Sequence, residues 1–240
     1  MKYLLGVVSW WLLWTWLNLY GQSPKELNAP HTDLYEYTSL REALKNPEQV
    51  YKLTLRNERL TAFPNEIFQF RNLKYLNLSY NEIKEIPVEI YKLEQLEVLI
   101  LNHNFIQSIP HTIGMLQNLT ELNLIRNAIT TLPAEIGLLA RLNMLCLDEN
   151  FIKKVPPEIG NLKNLRYLGL SENEINLLPE SIEGLTALEV LTLSNNNIKA
   201  LPPCIKQMKH IKELYIRQNQ IPEFEKKVIK KSLSQTICYL

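Results

Sequence analysis

An asparagine recurs every 23 residues along most of the chain, and this period constrains the fold more than any other feature. The same apolar pattern surrounds each asparagine, with leucines before it and an isoleucine, a leucine and a proline after it. A repeat of about 20–50 residues is typical of one supersecondary unit that is copied and stacked. The period therefore predicts a solenoid. The recurring residues are Asn81, Asn104, Asn127, Asn150, Asn173, Asn196 and Asn219.

Each repeat also predicts its own local structure. Two leucines separated by one residue precede each asparagine, as Leu122 and Leu124 precede Asn127, and this spacing places both on the inward side of a short strand. An asparagine amide both donates and accepts hydrogen bonds, so it can pair with buried backbone groups of adjacent repeats. A proline in each return segment keeps that segment out of the sheet. These prolines are Pro64, Pro87, Pro110, Pro133, Pro156, Pro179 and Pro202.

The pattern L-x-x-L-x-L-x-x-N-x-I-x-x-L-P-x-x-I-G-x-L-x-x, carried by residues 50–221, resembles the leucine-rich repeats of secreted bacterial proteins and of Scribble-type scaffolds. The resemblance implies an α/β repeat solenoid, shaped as a horseshoe. Its parallel β-sheet would line the concave face, opposite short helical or irregular convex segments. It also implies protein binding by the concave face, with no catalytic residues and no cofactor. The first copy has Glu58 where the asparagine belongs, as expected of an end unit.

Helical caps are predicted at both ends, because an open stack of apolar repeats needs covering. Over residues 39–49, the run from Ser39 to Glu42 matches a capping box. Over residues 222–240, Pro222 is predicted to start a helix whose apolar side faces the last repeat. That side is formed by Phe224, Val228, Ile229 and Leu233. The lysines on its other sides are interpreted as a solvated helix face, with a membrane or anion patch as the alternative.

The N-terminus has a different character. A basic start, an apolar run over residues 3–19 and the small residue Gly21 match the layout of a secretory signal peptide, predicted over residues 1–21. An uncleaved membrane anchor is the alternative, although the run falls just short of a span of about 20 residues. Residues 22–38 are predicted to be a flexible lead-in. We therefore expect a secreted or envelope-exposed protein.

The composition and the spacing of reactive residues argue against several classes of function. The chain has 26 basic and 25 acidic residues, so its net charge provides no drive toward nucleic acid. No two of the four histidines lie at the spacing of metal ligands, and none of them lies at that spacing from a cysteine. We therefore predict no enzyme activity, no metal and no cofactor. Cys146 and Cys204 are expected on opposite faces, which prevents their pairing. The sequence leaves undecided whether Cys204 and Cys238 form a disulfide.

The outward-facing strand positions of the middle repeats carry more apolar residues than a solvated sheet face requires. Contiguous exposed apolar area marks binding sites, and aromatic residues and Met are enriched at protein interfaces. Neutral drift on a tolerant face is the alternative interpretation. At Gly169, the missing side chain is predicted to leave a gap for a partner. The predicted partner-binding residues are Tyr75, Val98, Ile100, Ile125, Arg126, Met144, Cys146, Glu149, Tyr167, Gly169 and Val190.

The function predicted from these features is a non-enzymatic module that recognises a protein partner through its concave face. No nucleic acid is expected as a partner, and no membrane contact beyond the N-terminal segment. A membrane-anchored or intracellular signalling scaffold is the alternative, and it would keep its N-terminus.

Overall fold

The structure is a computed structural model that describes residues 35–240. The predicted signal peptide and residues 22–34 of the predicted lead-in lie outside the described residues. Residues 36–240 form one compact unit. Within it, ten strands build a single parallel sheet in which each strand pairs with the next one along the chain. The repeat solenoid predicted from the 23-residue period is confirmed.

The strands are short, and their register follows the repeat. Leu99 of one strand lies opposite Leu122 of the next, which in turn lies opposite Leu145. All three leucines are completely buried on the inward side. The strands are β1 (Glu36–Tyr37), β2 (Lys52–Thr54), β3 (Tyr75–Asn77), β4 (Val98–Ile100), β5 (Glu121–Asn123), β6 (Met144–Cys146), β7 (Tyr167–Gly169), β8 (Val190–Thr192), β9 (Glu213–Tyr215) and β10 (Ile237–Tyr239).

The convex side consists of short 3-10 turns, and the repeated proline sets where seven of them begin. Pro133 has a φ of −72°, and its carbonyl accepts a hydrogen bond from the Ile136 amide at 3.2 Å. The proline ring fixes this φ and removes a donor, so the chain leaves the sheet at the same place in each repeat. The 3-10 segments are Pro47–Gln49, Asn65–Gln69, Val88–Lys92, His111–Met115, Ala134–Leu138, Pro157–Asn161, Glu180–Gly184 and Pro203–Gln207.

The repeated asparagines connect neighbouring coils, as the sequence predicted. Asn127 Nδ2 donates to the carbonyls of Leu101 and Leu124, both at 3.1 Å, and Oδ1 accepts from the Ile106 amide at 2.9 Å. Leu101 and Ile106 belong to the preceding coil. One buried amide thus satisfies backbone groups of two coils that would otherwise lack partners.

The N-terminal end differs from its prediction in two ways. Glu36 and Tyr37 form β1, so the sheet begins inside the segment predicted to be flexible, because the free edge of β2 offers unpaired backbone groups. Helix α1 (Leu40–Ala43) is a single turn. The capping box is wrong: the Ser39 side chain makes no capping bond, and the Glu42 carboxylate pairs with Lys45 at 2.6 Å instead.

The C-terminal end contains helix α2 (Glu223–Ser232) followed by β10, a strand that the sequence analysis did not predict. Ile229 and Leu233 are buried, as predicted, but Phe224 and Val228 are 71% and 44% exposed. Residues 229 and 233 lie along one line of the helix, whereas residue 228 is rotated from it by about 100°. The helix therefore meets the last coil along a narrow stripe. In residues 35–240 no helix has the length and apolar character needed to span a membrane.

Candidate partner-binding face

The outward side chains of β2–β9 and the residues that follow them line up in columns, one residue per coil and about 4.8 Å apart. The residue before the asparagine position, which Glu58 occupies in the first coil, has a positive φ between 53° and 61° in eight successive coils. These residues include Tyr80, His103 and Arg126, so different side chains adopt one backbone conformation. The repeat therefore imposes the turn, and the chemistry of this column is free to vary.

Six of the outward apolar side chains of the middle coils are buried, and the prediction that these six form part of an exposed patch is wrong. They range from 0% exposed at Cys146 to 7% at Met144. Side chains about 4.8 Å apart on an inward-curving surface cover one another, forming a second packed layer opposite the main core. We call it the concave layer. It consists of Val98, Ile125, Met144, Cys146, Tyr167 and Val190.

Four of the predicted binding residues remain accessible. Tyr75, Ile100 and Glu149 are half-buried and Arg126 is exposed. Lys52 lies over the Tyr75 ring, 4.9 Å from its centroid, and burial raises the pKa of the Tyr75 hydroxyl to about 12. These side chains can contact a partner directly.

The gap predicted at Gly169 is filled by the Asp148 carboxylate. A Cβ on Gly169 would overlap Asp148 Oδ2. Asp148 Oδ1 accepts hydrogen bonds from the Ser171 amide and the Thr192 hydroxyl, both at 2.8 Å, so one side chain joins three coils. Oδ2 has no hydrogen-bond partner, and burial raises the pKa of Asp148 to about 6. The prediction of an open space at this position is wrong.

A second carboxyl, Glu121 on β5, also lies on this face, and burial raises its pKa to about 7. Burial, followed by the Asp148 and Glu121 carboxyls, raises the pKa of the Cys146 thiol. A neutral, fully buried thiol is a poor nucleophile. Cys146, Cys204 and Cys238 are all free thiols, so the disulfide left open by the sequence analysis is not formed.

Planar and charged side chains continue along the positive-φ column at the edge of the face. We call Tyr80, His103, Arg126, Glu149 and Glu172 the rim row. The rings of Tyr80 and His103 stack with centroids 4.0 Å apart, and Arg126 Nε binds Glu149 Oε2 at 2.7 Å. Burial lowers the pKa of His103 to about 4, with further contributions from Arg126 and Arg56.

The sequence analysis selected neither His103 nor Tyr80 as a partner-binding residue. The signal that could have identified them is their spacing: Tyr80, His103 and Arg126 follow one another at 23 residues in one column. Spacing of this kind places planar groups in contact. Arg56 extends the contact, because its guanidinium carbon lies 4.4 Å from the Tyr80 ring centroid.

Glu172, the last member of the rim row, forms no ion pair and no side-chain hydrogen bond among residues 35–240. Its pKa is raised by burial and by Glu149, and Arg126 acts in the opposite direction. In the described part of the chain, no group of three or more His, Cys, Asp or Glu side chains could hold a metal ion. The rim row therefore presents aromatic, basic and acidic side chains in one column.

Comparison with known families agrees with this architecture. A family model described as leucine rich repeat matches residues 48–106 and 94–150, and another described as leucine-rich repeat region matches residues 156–230. The chain is a leucine-rich repeat protein. This confirms the resemblance drawn from the sequence. A comparison with curated proteins gives no match.

Three solved structures illustrate the relation. A leucine-rich repeat protein of Leptospira interrogans is 29% identical, with a TM-score of 0.69 over 85% of this chain and 64% of its own. The ectodomain of the Arabidopsis thaliana receptor kinase GASSHO1/SCHENGEN3, in complex with Casparian strip integrity factor 2, is 29% identical and has a TM-score of 0.60. That match covers 70% of this chain and 20% of the receptor chain. The plant peptide hormone receptor RGFR1, in complex with RGF2, is 33% identical and has a TM-score of 0.61. That match covers 72% of this chain and 33% of the receptor chain. The match thus spans less than two thirds of each relative.

Proposed function

We propose that this leucine-rich repeat protein is a non-enzymatic binding module that takes a polypeptide partner on its concave face. The observation that carries the proposal is the rim row. Its accessible aromatic and charged side chains occupy positions at which the fold does not require a particular residue type. Two of the similar structures are complexes, one with Casparian strip integrity factor 2 and one of a plant peptide hormone receptor with RGF2, which supports this class of partner.

The contact surface we propose differs from the set predicted from the sequence. Tyr75, Ile100, Arg126 and Glu149 remain in it because they are accessible, and Tyr80 and His103 join them. The concave layer lies beside these groups on the same face, as Val98 lies opposite Tyr75, and its packing holds them at fixed positions. Preformed contact groups lower the ordering cost of binding.

A stacked pair is well suited to anchor such a contact. Tyrosine and histidine rings present flat, weakly polar surfaces, and aromatic residues are enriched among the residues that dominate binding energies. The lowered pKa of His103 keeps its ring neutral at neutral pH, so the stack with Tyr80 carries no net charge.

The test is selection of peptides from a random display library by the full-length protein, followed by affinity measurements on variants. Tyr80→Ala and His103→Ala should each weaken a selected peptide by about fivefold or more, as expected for side chains that anchor an interface. Phe105→Ala is the matched control, because Phe105 is 56% exposed and lies two residues beyond His103, after the asparagine turn. Loss of affinity in the control alone would place the contact outside the concave face. Absence of enriched peptides would overturn the proposed function.

The proposed location is secreted or envelope-exposed. It is supported by the signal-like residues 1–21 and by the receptor ectodomain among the similar structures. All four tryptophans of the chain lie within residues 1–21. Intact mass spectrometry of the protein from its own host should show loss of these residues, and tryptophan fluorescence should be lost with them. A full-length mass would instead support the anchored or intracellular alternative.

A further inference from the structure

Carboxyl groups outnumber cations where the rim row ends, at β6 and β7. Asp148 and Glu149 follow β6, and Glu172 follows β7. Arg126 contacts this group, but its guanidinium is already bound to Glu149 at 2.7 Å. The ion pairs among residues 35–240 include neither Asp148 nor Glu172. This part of the face therefore carries three carboxyls near one cation, Arg126, which acts on Glu172 without binding it.

The state of Asp148 is a second and independent indication. Asp148 is 3% exposed, and only its Oδ1 accepts hydrogen bonds. Its Oδ2 has no hydrogen-bond partner and lies against Gly169, which belongs to the same coil as Glu172. A buried carboxylate is stable only when it is paired or neutralised, so an unpartnered oxygen at this position points to a missing counter-charge.

We propose that the polypeptide partner places an arginine or lysine side chain against Glu172 at the β6–β7 end of the rim row. This inference rests on the proposed function and names the chemistry of one contact within it. Glu172 binds the cation directly, because its carboxylate is the accessible unpaired group. Asp148 acts from below the surface, where low dielectric strengthens its attraction for a positive charge.

Arginine fits this position better than lysine. The guanidinium group is a planar fork of donors that matches a carboxylate in a bidentate manner. Glu149 Oε2 accepts a hydrogen bond from Arg126 Nε, whereas neither carboxylate oxygen of Glu172, in the next coil, accepts a hydrogen bond from residues 35–240. A second guanidinium can therefore bind Glu172 in a bidentate manner while the Arg126–Glu149 pair stays intact.

The experiment begins with peptides selected from a random display library by the full-length protein. Selected peptides should share a basic residue at one position. Replacing an arginine at that position with citrulline, which keeps the shape and removes the charge, should weaken binding by about tenfold, as for other paired charges. A lysine would be replaced with norleucine.

Variants of the protein then locate the contact. In Glu172→Gln the difference in affinity between the charged and neutral peptides should become much smaller, because the coupling between Glu172 and the cation is lost and only the attraction of Asp148 remains. Asp148→Asn keeps the acceptor for Ser171 and Thr192 and should weaken the charged peptide more than the neutral one. Glu174→Gln is the matched control: it lies on the same coil, and its carboxylate is already paired with Lys153 at 3.6 Å.

The outcomes separate this inference from the function on which it rests. Selected peptides without a shared basic residue, or a citrulline effect that persists unchanged in Glu172→Gln, would overturn the cation contact and leave the proposed function standing. A library that yields no binders would overturn the proposed function, and the cation contact with it. Thermal unfolding of each variant confirms that it is folded.

Discussion

The inward and outward faces of the same strands follow different rules. On the inward face of β4, β5 and β6, every central residue is a leucine with no exposed surface. On the outward face, Val98, Glu121 and Met144 occupy one column in consecutive coils. Two of these are buried as well, yet the three have different chemistry. Burial alone therefore does not dictate residue type in this protein.

What distinguishes the two faces is enclosure. The inward side is closed by the convex segments, so every side chain must fit a fixed space at high packing density. The outward layer is covered only by its own members, and they can move toward solvent. Carboxyls such as Glu121 and Asp148 are tolerated there at the cost of a raised pKa.

The largest expected effect contrasts two isoleucines four residues apart. Ile129 is inward and completely buried, while Ile125 is 5% exposed in the concave layer. Ile129→Ala should lower the free energy of unfolding by about 2–5 kcal/mol. Ile125→Ala should lower it by under about 2 kcal/mol, because the open layer can rearrange around the lost methyl groups. Urea unfolding measures both, and equal losses would refute the distinction between the faces.

The next effect concerns pH and the charge tolerated in the outward layer. Asp148 has a pKa raised from 3.8 to about 6, so the folded state binds a proton more tightly than the unfolded state. Its contribution to the free energy of unfolding is therefore greatest below pH about 4, falls by about 1.4 kcal/mol per unit up to pH about 6, and is constant above. Glu121 extends the decline toward pH about 7.

Asp148→Asn should make the decline shallower between pH about 4 and pH about 6, and Glu121→Gln should make it shallower between pH about 4.5 and pH about 7. Unfolding free energies measured by urea titration between pH 4 and pH 8 test both variants, with Glu174→Gln as the control, because its exposed ion pair with Lys153 contributes little. A stability that rises with pH in the wild type but not in Asp148→Asn would reverse the expected sign.

The smallest effect contrasts two asparagines of one coil. The Asn127 side chain forms hydrogen bonds with four backbone groups, whereas that of the outward Asn123 accepts one bond, from the Ile125 amide at 3.3 Å. Asn127→Ala should lower the free energy of unfolding by about 1–3 kcal/mol, because it leaves buried groups unpaired. Asn123→Ala should change it by under about 0.5 kcal/mol. A comparable loss in both variants would show that the amide bridge does not distinguish the two positions.

The sequence predicted the direction of the outward side chains correctly but not their exposure, and the reason is visible at Ile125 and Tyr167. Alternation along a strand correctly indicates that both point away from the main core. It carries no information on how closely the neighbouring coils cover them, and they are 5% and 6% exposed. Ile125→Asp would therefore bury a charge and lower stability. Loss of binding in that variant would not separate a lost contact from a lost fold, as it would at a solvated position.

The sequence by itself determined the solenoid, the parallel register, the asparagine bridges and the proline-set turns. These features depend on a pattern that each repeat carries within its own 23 residues. Only the tertiary structure decided the end strands β1 and β10, the burial of the concave layer, the Tyr80–His103 stack and the filling of the Gly169 gap. The contact between Asp148 and Thr192 joins residues 44 apart, across two coils. Which side chains meet at such separations depends on the curvature of the sheet and on the particular residues that neighbouring coils supply, and the shared repeat pattern specifies neither.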